Sequence, residues 1–588
     1  MNGTAAAFLA IPEAILLALI AAGTGRRLLG LLLPDATPLE RSALGFPAAL
    51  AVLSVAVTVL LFTGVPPAVL LAAVVGIVAA AAAWGFRSSL DLLRDLREFA
   101  RTSPVAAALL AASAYLGLIG CMAPETGWDT GVYHFAMARM RAEQGGMVVR
   151  LDVSHGYRPA YMESLQTVGF LFNGETLASL FNLMIYFAGA GVARLWGERI
   201  EGARGGLFAA LAWMTPATYV LRMDGGDVEV AQAVYFGAAL YALLRLRDGA
   251  PGGWRVFAGG ALGLLCGMKY ASLYATVILA AVWLAVRLKD RAGLRVLAQD
   301  AVLVGGLAVV IACPWYLRNK IATGTPFYPF QQNGGGVWNG EAVEEGAGKV
   351  LLRALALDGV AILGLAGLLV PGAARVRWTA AVPVILLLWM LRQLGFVPGG
   401  VSNAVRYASA AWMPLLALAG AGAAWAYGRG GLLRIAGFGT LLAMLALGQG
   451  ILAARNLRKL PAAVGLADRQ GYLEARVSTA AAIRTAEAGL PAGKKILLVE
   501  ERVYYCRSPF LAASDIQYGV DMETIRRPED LDRFLAAERI GAIVVDRSPN
   551  AKIWRFRAME KRLGPAWPPR GVTEAAVEGT ASLYRVER

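Results

Sequence analysis

Apolar runs long enough to cross about 30 Å of hydrocarbon follow one another from residue 5 to residue 453, and a chain built this way folds as a bundle of membrane helices. The runs fall near 5–24, 43–63, 66–85, 104–122, 176–196, 205–221, 228–246, 256–269, 271–288, 300–316, 351–370, 378–396, 406–427 and 432–453, about fourteen spans. Only 16% of residues are charged, against roughly 25% in a soluble domain.

The formal net charge of +15 does not point to nucleic acid. Lys and Arg sit mostly in short links between apolar runs, where the preference for positive residues at the inner leaflet explains them. The groups Arg26/Arg27/Arg41, Arg87/Arg94/Arg97/Arg101, Arg199/Arg204, Arg245/Arg247/Arg255, Arg287/Lys289/Arg291/Arg295, Arg375/Arg377 and Arg429/Arg434 fall in alternate links, which are therefore read as cytoplasmic. The N-terminal run lacks a basic leader and is followed by further spans, so it reads as the first span rather than a cleaved signal. Cys121, Cys266, Cys313 and Cys506 have no CxxC spacing and read as filler.

With that orientation, the loops near Trp128, Arg222–Asp227 and 317–350 and everything after Arg455 share the extracytoplasmic side. In the tail 469–588 charge rises, and the β-type runs Lys495–Val499 and Ala542–Asp546 flank the helical-looking Pro528–Glu538. This predicts a small soluble α/β domain. The expected organisation is 1–103 N-terminal spans, 104–455 a catalytic membrane region with outer loops 123–175 and 317–350, and 469–588 outside the membrane.

The segment Glu125-Thr126-Gly127-Trp128-Asp129-Thr130-Gly131-Val132-Tyr133-His134 places a carboxylate at the edge of the hydrocarbon, where desolvation is costly unless the group is used or kept wet. The following Phe135–Arg141 has apolar residues on one helical face and arginines on the other, as an interfacial helix would. Both histidines of the chain, His134 and His155, lie in this loop with Asp129, Asp152 and Glu163. Asp129 and His134 are five apart, a spacing that neither an α-helix nor a strand turns to one face, so no protein-ligated metal is expected. A divalent cation, Mg²⁺ or Mn²⁺, shared between carboxylates and a substrate phosphate stays open.

A second acidic cluster, Arg222-Met223-Asp224-Gly225-Gly226-Asp227-Val228-Glu229, lies on the same expected side; its glycines allow a tight turn, and Asp227 can equally cap the next helix. Arg158, Arg222, Lys269, Arg318, Lys320 and Arg406 adjoin outer span ends. Snorkelling accounts for any one of them, and together they supply the cations that a departing phosphate needs.

Trp128-Asp129-x-x-x-Tyr133-His134, then Arg158-Pro159 and Phe170-x-Phe172-x-Gly174-Glu175, resembles the first outer loop of the GT-C integral-membrane glycosyltransferases. The similarity is to the branch of protein O-mannosyltransferases and lipid A aminoarabinose transferases and to bacterial relatives with a WDxxxYH loop. Gly260-x-x-Gly263-x-x-x-Gly267-Met268-Lys269-Tyr270, Cys313-Pro314-Trp315-Tyr316-Leu317-Arg318-Asn319 with Gly324-Thr325-Pro326-Phe327-Tyr328-Pro329, and Arg406-Tyr407 before Met413-Pro414 resemble later elements of that family in the same order. Thr130 departs from the pattern, since many relatives carry a second acid there, and Arg158 replaces a lysine of several relatives.

The resemblance implies a GT-C-like polytopic helical fold in the plasma (inner) membrane and transfer of a sugar, with inversion, from a polyprenyl-phosphate donor to an extracytoplasmic acceptor hydroxyl on lipid, glycan or protein. Asp129 is the expected base, alone or with Asp224. Arg158, Lys269 and Arg406 are expected on the phosphate side, with Tyr133, His134, Asp227 and Arg318 also contacting substrate. Partial burial is expected to raise the pKa of Asp129. A transporter or flippase, or a protein that only binds lipid-linked sugars, is the alternative; the absence of a clear internal repeat and the placement of acids at span ends argue against transport.

Overall fold

The computed structural model describes residues 3–587 except 151, 154, 329–358, 362, 393–404, 515–519, 521 and 550. Among the described residues eight helices are long and apolar enough to cross a membrane, or nine if one bent pair is a single span. The chain is a multi-pass membrane protein. Parts of the outer loop 317–350 and of the runs 351–370 and 378–396 lie outside the described residues.

Helices α1 (Gly3–Leu32), α2 (Pro38–Thr63) and α3 (Pro67–Thr102) form an N-terminal bundle. α2 begins at a capping box, in which Thr37 Oγ1 accepts from Glu40 N–H and Glu40 reaches back to Thr37 N–H, and it ends at Gly64 with φ +68°. Side chains as apolar as lipid give helices little reason to associate, so small residues matter: Gly25 and Gly45 let the α1 and α2 backbones touch.

α4 (Pro104–Met122) leads to the outer loop, where α5 (Phe135–Gln144) and α6 (Tyr161–Phe172) pack on each other. α5 does not lie as a surface helix in the interface. Residues Phe135 through Ala142 are all buried: Arg139 donates to the carbonyls of Tyr504 and Cys506 in the C-terminal domain, while Arg141 lies over the Trp315 ring of the helical region.

The expected spans 176–196 and 205–221 are the two arms of one hairpin, α7 (Glu175–Trp213), which reverses at Glu201 and Gly202 (φ +64°). Trp213 Nε1 donates back to Tyr186 O across the hairpin at 2.8 Å. The expected span 406–427 is likewise broken: segments Val405–Ala411 and Met413–Arg429 meet at 73°, just ahead of Pro414, which cannot donate an N–H to a continuous helix.

Ion pairs Arg26–Asp95 (2.6 Å), Arg245–Asp35 (2.7 Å), Arg247–Asp290 (2.7 Å) and Arg255–Asp300 (2.8 Å) gather at the end of the bundle where the basic links were placed. The C-terminal domain packs on the other end. Its sheet has the order β2-β1-β3-β5-β4, with β1 (Lys495–Val499), β2 (Phe510–Ala512) and β3 (Ile540–Asp546) parallel, and β4 (Val572–Glu578) and β5 (Ala581–Val586) antiparallel. β3 is buried at every position, as a central strand covered on both faces must be.

Candidate active site

Beyond α4 the chain has no regular structure until Trp128. Glu125 Oε1 accepts from the N–H groups of Thr126 (2.8 Å) and Gly127 (2.5 Å), fixing the approach. Residues Thr130–His134 then form a π turn, with Phe135 N–H donating to Thr130 O. A π turn pairs residue i with i+5. Asp129 and His134, five apart, therefore share a face, which corrects the expectation drawn from α and β periodicities.

Two other segments meet this turn. The reversal at Gly225-Gly226 is held by Asn182, which donates to the carbonyls of Gly225 and Asp227, and by Gln166, which donates to Gly226 O at 2.9 Å. Gly226 N–H donates to Thr130 Oγ1 at 3.1 Å, and a Cβ at Gly226 would lie 2.7 Å from Thr130 Cγ2, so only glycine fits against the turn. Arg406 arrives on the short segment before the 73° bend.

The Arg406 guanidinium joins three carboxylates: Asp129, Asp227 at 3.4 Å and Glu229 at 2.8 Å. Lys269 Nζ is 3.0 Å from Glu229, and Arg222 lies 3.8 Å from Asp227 and 3.9 Å from Glu229. Three acids and three cations thus form one half-closed network. Burial pushes the Asp129 carboxyl up, but Arg406 and Lys269 outweigh it and hold the group at about 2. The expected upward shift is therefore reversed. Burial instead wins at Asp227, whose carboxyl is raised despite Arg406, with Glu229 and Asp129 adding to the effect.

Asp129, His134 and Asp227 each offer a ligand atom within 4.8 Å of the others. His134 Nδ1 lies 2.6 Å from Glu163 Oε1, and its buried Nε2 has no hydrogen-bond partner among the described residues. A carboxylate behind an imidazole fixes its tautomer and orientation, the usual support for a metal-binding histidine. These three atoms are close enough together to share one divalent cation, and Arg406 competes for two of them.

The remaining expected residues divide. Tyr133 is buried and stacks on His155 with centroids 4.6 Å apart, while the Arg158 guanidinium carbon stands 5.6 Å from the Tyr133 ring centre. His155, at φ +66°, is kept well below its usual pKa by burial and by Arg158 and Lys269. Arg318 holds the loop backbone, donating to the carbonyls of Tyr157 and Arg158. Asp224 turns away from Asp129, because the two glycines reverse the chain between it and Asp227. It pairs with Arg455, with Asn456 Nδ2 at 2.7 Å and with Lys459 at 3.6 Å, bracing the end of the Gly431–Asn456 helix.

Glu229 and Glu163 stand out in the sequence only as members of the acidic cluster and of the histidine loop, with no role of their own; nothing local marked Glu229 as the partner of Arg406 and Lys269, or Glu163 as the partner of His134.

Two cavities have linings that include none of the six side chains of the ion network. One, of about 620 Å³, is an apolar groove lined by residues including Leu262, Leu279, Val304, Ala308, Tyr316 and Phe327. The other, of about 790 Å³, lies between Glu125, Arg139, Glu175 and the C-terminal domain residues Tyr504, Tyr505 and Arg507.

No family model matches this chain, and no curated protein matches its sequence. Solved structures do. The apo structure of ArnT from Cupriavidus metallidurans superposes with a TM-score of 0.54 at 16% identity, covering 82% of this chain and 98% of ArnT. The chain has the GT-C fold. ArnT bound to undecaprenyl phosphate matches equally, with a TM-score of 0.54 at 14% identity and coverage of 82% and 98%. The GT-C oligosaccharyltransferase AglB from Archaeoglobus fulgidus is more distant, at a TM-score of 0.46 and 13% identity over 83% of this chain and 75% of AglB.

Proposed function

We propose that this protein is a membrane glycosyltransferase that moves a sugar from a polyprenyl-phosphate donor to an acceptor hydroxyl on the extracytoplasmic face of the plasma membrane, with inversion. The observation that carries the reading is the convergence of Asp129 with Arg406 and Lys269 at one end of a GT-C bundle. A base and the cations for a leaving phosphate stand together there.

The apolar groove suits a prenyl chain, since it is lined almost entirely by hydrocarbon. Its outer residues Tyr316 and Phe327 pack around Tyr270, next to Lys269, so a phosphate at the head of such a chain arrives beside that cation. The polar cavity under the C-terminal domain suits the acceptor.

In the reaction the bond between the anomeric carbon and the phosphate oxygen breaks, and the acceptor oxygen bonds to that carbon from the opposite face. The acceptor proton passes to Asp129, and the lipid phosphate leaves against Lys269 and Arg406. Asp129 at about 2 is a weak base in the free protein. A donor phosphate that draws Arg406 and Lys269 to itself removes the charge that depresses Asp129, so the carboxylate gains proton affinity when substrate is bound. Asp129, His134 and Asp227 would hold a divalent cation, which supplies positive charge to phosphate oxygens when bound.

Mass spectrometry of lipid-linked sugars and envelope glycoconjugates tests the reading in cells lacking the protein and complemented with wild type or Asp129→Asn. Loss of one sugar from a glycoconjugate and accumulation of its lipid donor in both the null and the Asn strain is expected. An Asn strain indistinguishable from wild type removes Asp129 as the base.

A further inference from the structure

The C-terminal domain grips the segment around Asp129 at three points. Tyr505 OH donates to Glu125 O at 2.9 Å. Trp128 Nε1 donates to Glu501 Oε2 at 2.5 Å. At Gly131 a Cβ would come within 3.3 Å of the Arg502 side chain, so the two surfaces are in close contact. Glu501 is itself buried and held: its other oxygen accepts from Lys552 N–H at 2.9 Å, and Lys552 Nζ stands 4.6 Å from the Trp128 ring centre. Both groups lie just beyond the carboxyl ends of the parallel strands β1 and β3, the edge of an α/β sheet that ordinarily receives a ligand. Here the Trp128 indole occupies it.

We infer that Glu501 is a positioning residue that holds Trp128 and thereby keeps the 130–134 turn in π register, so that Asp129 and His134 face one another. A π turn is rarer than the α alternative and persists where surroundings impose it. Released from the grip, the segment relaxes toward i→i+4 bonding. Tyr133 then replaces His134 beside Asp129, and the site loses its geometry without losing any of its residues. The bond from an indole N–H to a carboxylate is charge-assisted, which suits it to this task.

This inference rests on the reading of Asp129 as the base, and its test separates the two. Hydrogen exchange by mass spectrometry is measured on the full chain in lipid nanodiscs for wild type, Glu501→Ala, Glu501→Gln and Trp128→Phe. Glu501→Ala and Trp128→Phe are expected to speed exchange about tenfold or more in peptides spanning 125–137, with β1 and β3 unchanged. Glu501→Gln keeps an acceptor oxygen and stays near wild type. In complemented cells Glu501→Ala accumulates lipid-linked donor and Glu501→Gln does not.

Unchanged exchange in the loop overturns the inference. So does loosening that spreads equally through β1 and β3, which marks a folding role only, and so does a loosened loop with wild-type transfer. If Glu501→Ala loosens the loop and abolishes transfer while Asp129→Asn transfers normally, the positioning role stands and the assignment of the base falls. Trp128→Phe leaves the C-terminal domain unaltered, so the test survives a Glu501 variant that fails to fold.

Discussion

His134 stands one π turn beyond Asp129, and the two side chains converge on Asp227 although five residues of sequence separate them. Glu163 holds the far nitrogen of His134, so the free Nε2 has a fixed orientation. Addition of MnCl₂ to the purified chain is expected to stabilise it by mass action, by about 2.7 kcal/mol at a hundred times the dissociation constant, and so to raise its thermal midpoint. Asp227→Asn or His134→Ala removes the shift, and Glu163→Gln weakens the affinity about 10–100-fold. A wild-type protein indifferent to Mn²⁺ over the millimolar range shows that Arg406 excludes the ion.

Arg406 contacts three carboxylates at once, through Nε to Glu229 and one terminal nitrogen to Asp129 and Asp227, a fixed planar spread of donors that a compact ammonium does not reproduce. Arg406→Lys is expected to keep the fold and lose transfer activity by roughly two orders of magnitude, in the range seen when a preorganised charge-stabilising donor is removed. Arg406→Ala leaves buried acids unpaired and costs about 3–5 kcal/mol of stability as well. Thermal midpoints beside in-cell transfer distinguish the two; equal behaviour of Lys and wild type sinks the fork argument.

Asp224 is a brace for the helix end at Arg455 and Asn456. Asp224→Asn therefore lowers the thermal midpoint while the protein that remains transfers sugar within about threefold of wild type, whereas a catalytic carboxylate contributes about 10²–10⁴-fold. Quantified immunoblots beside donor turnover make the comparison.

Glu125 is pushed up from 4.5 to about 7, chiefly by burial, with Lys459 opposing. An acid raised in the folded state binds more protons there than unfolded, so its contribution falls as pH rises from about 4.5 through 7. Asp129 has the opposite sign: its contribution is present above its ordinary value and is lost as pH falls toward about 2. His155, held below its ordinary 6.5, adds an opposing rise below that pH, so the Glu125 contribution is read as the difference between wild type and variant from pH 5 to 8. Glu125→Gln is expected to flatten the decline of thermal midpoint across that range, and an unchanged slope rules this out.

The membrane class, the C-terminal sheet domain and most helix positions were legible in the sequence because they follow from local patterns: apolar runs of span length, alternate basic links, and the β-type runs that became β1 and β3. The GT-C fold was legible from short motifs in order. Helix breaks were less so. The reversal at Gly202 falls in the link expected between two spans, whereas the bend before Pro414 looked like one straight span.

The site itself divides along the same line. Sequence determined which residue types lie at the span ends on one side of the bundle: Asp129, Asp227, Lys269 and Arg406 were all singled out, because polar groups beside hydrocarbon are conspicuous. Only the tertiary structure decided which of them meet. Arg406 reaches Asp129 across 277 positions of chain, Asp224 is turned away by two glycines, and Glu501 comes from a domain hundreds of residues distant to hold Trp128. The direction of the Asp129 pKa belonged to that second category. Burial alone raises a carboxyl, and the sign changes only when cations from other helices are brought within reach. Local sequence fixes propensity and exposure, whereas electrostatics depends on distances that the fold alone sets.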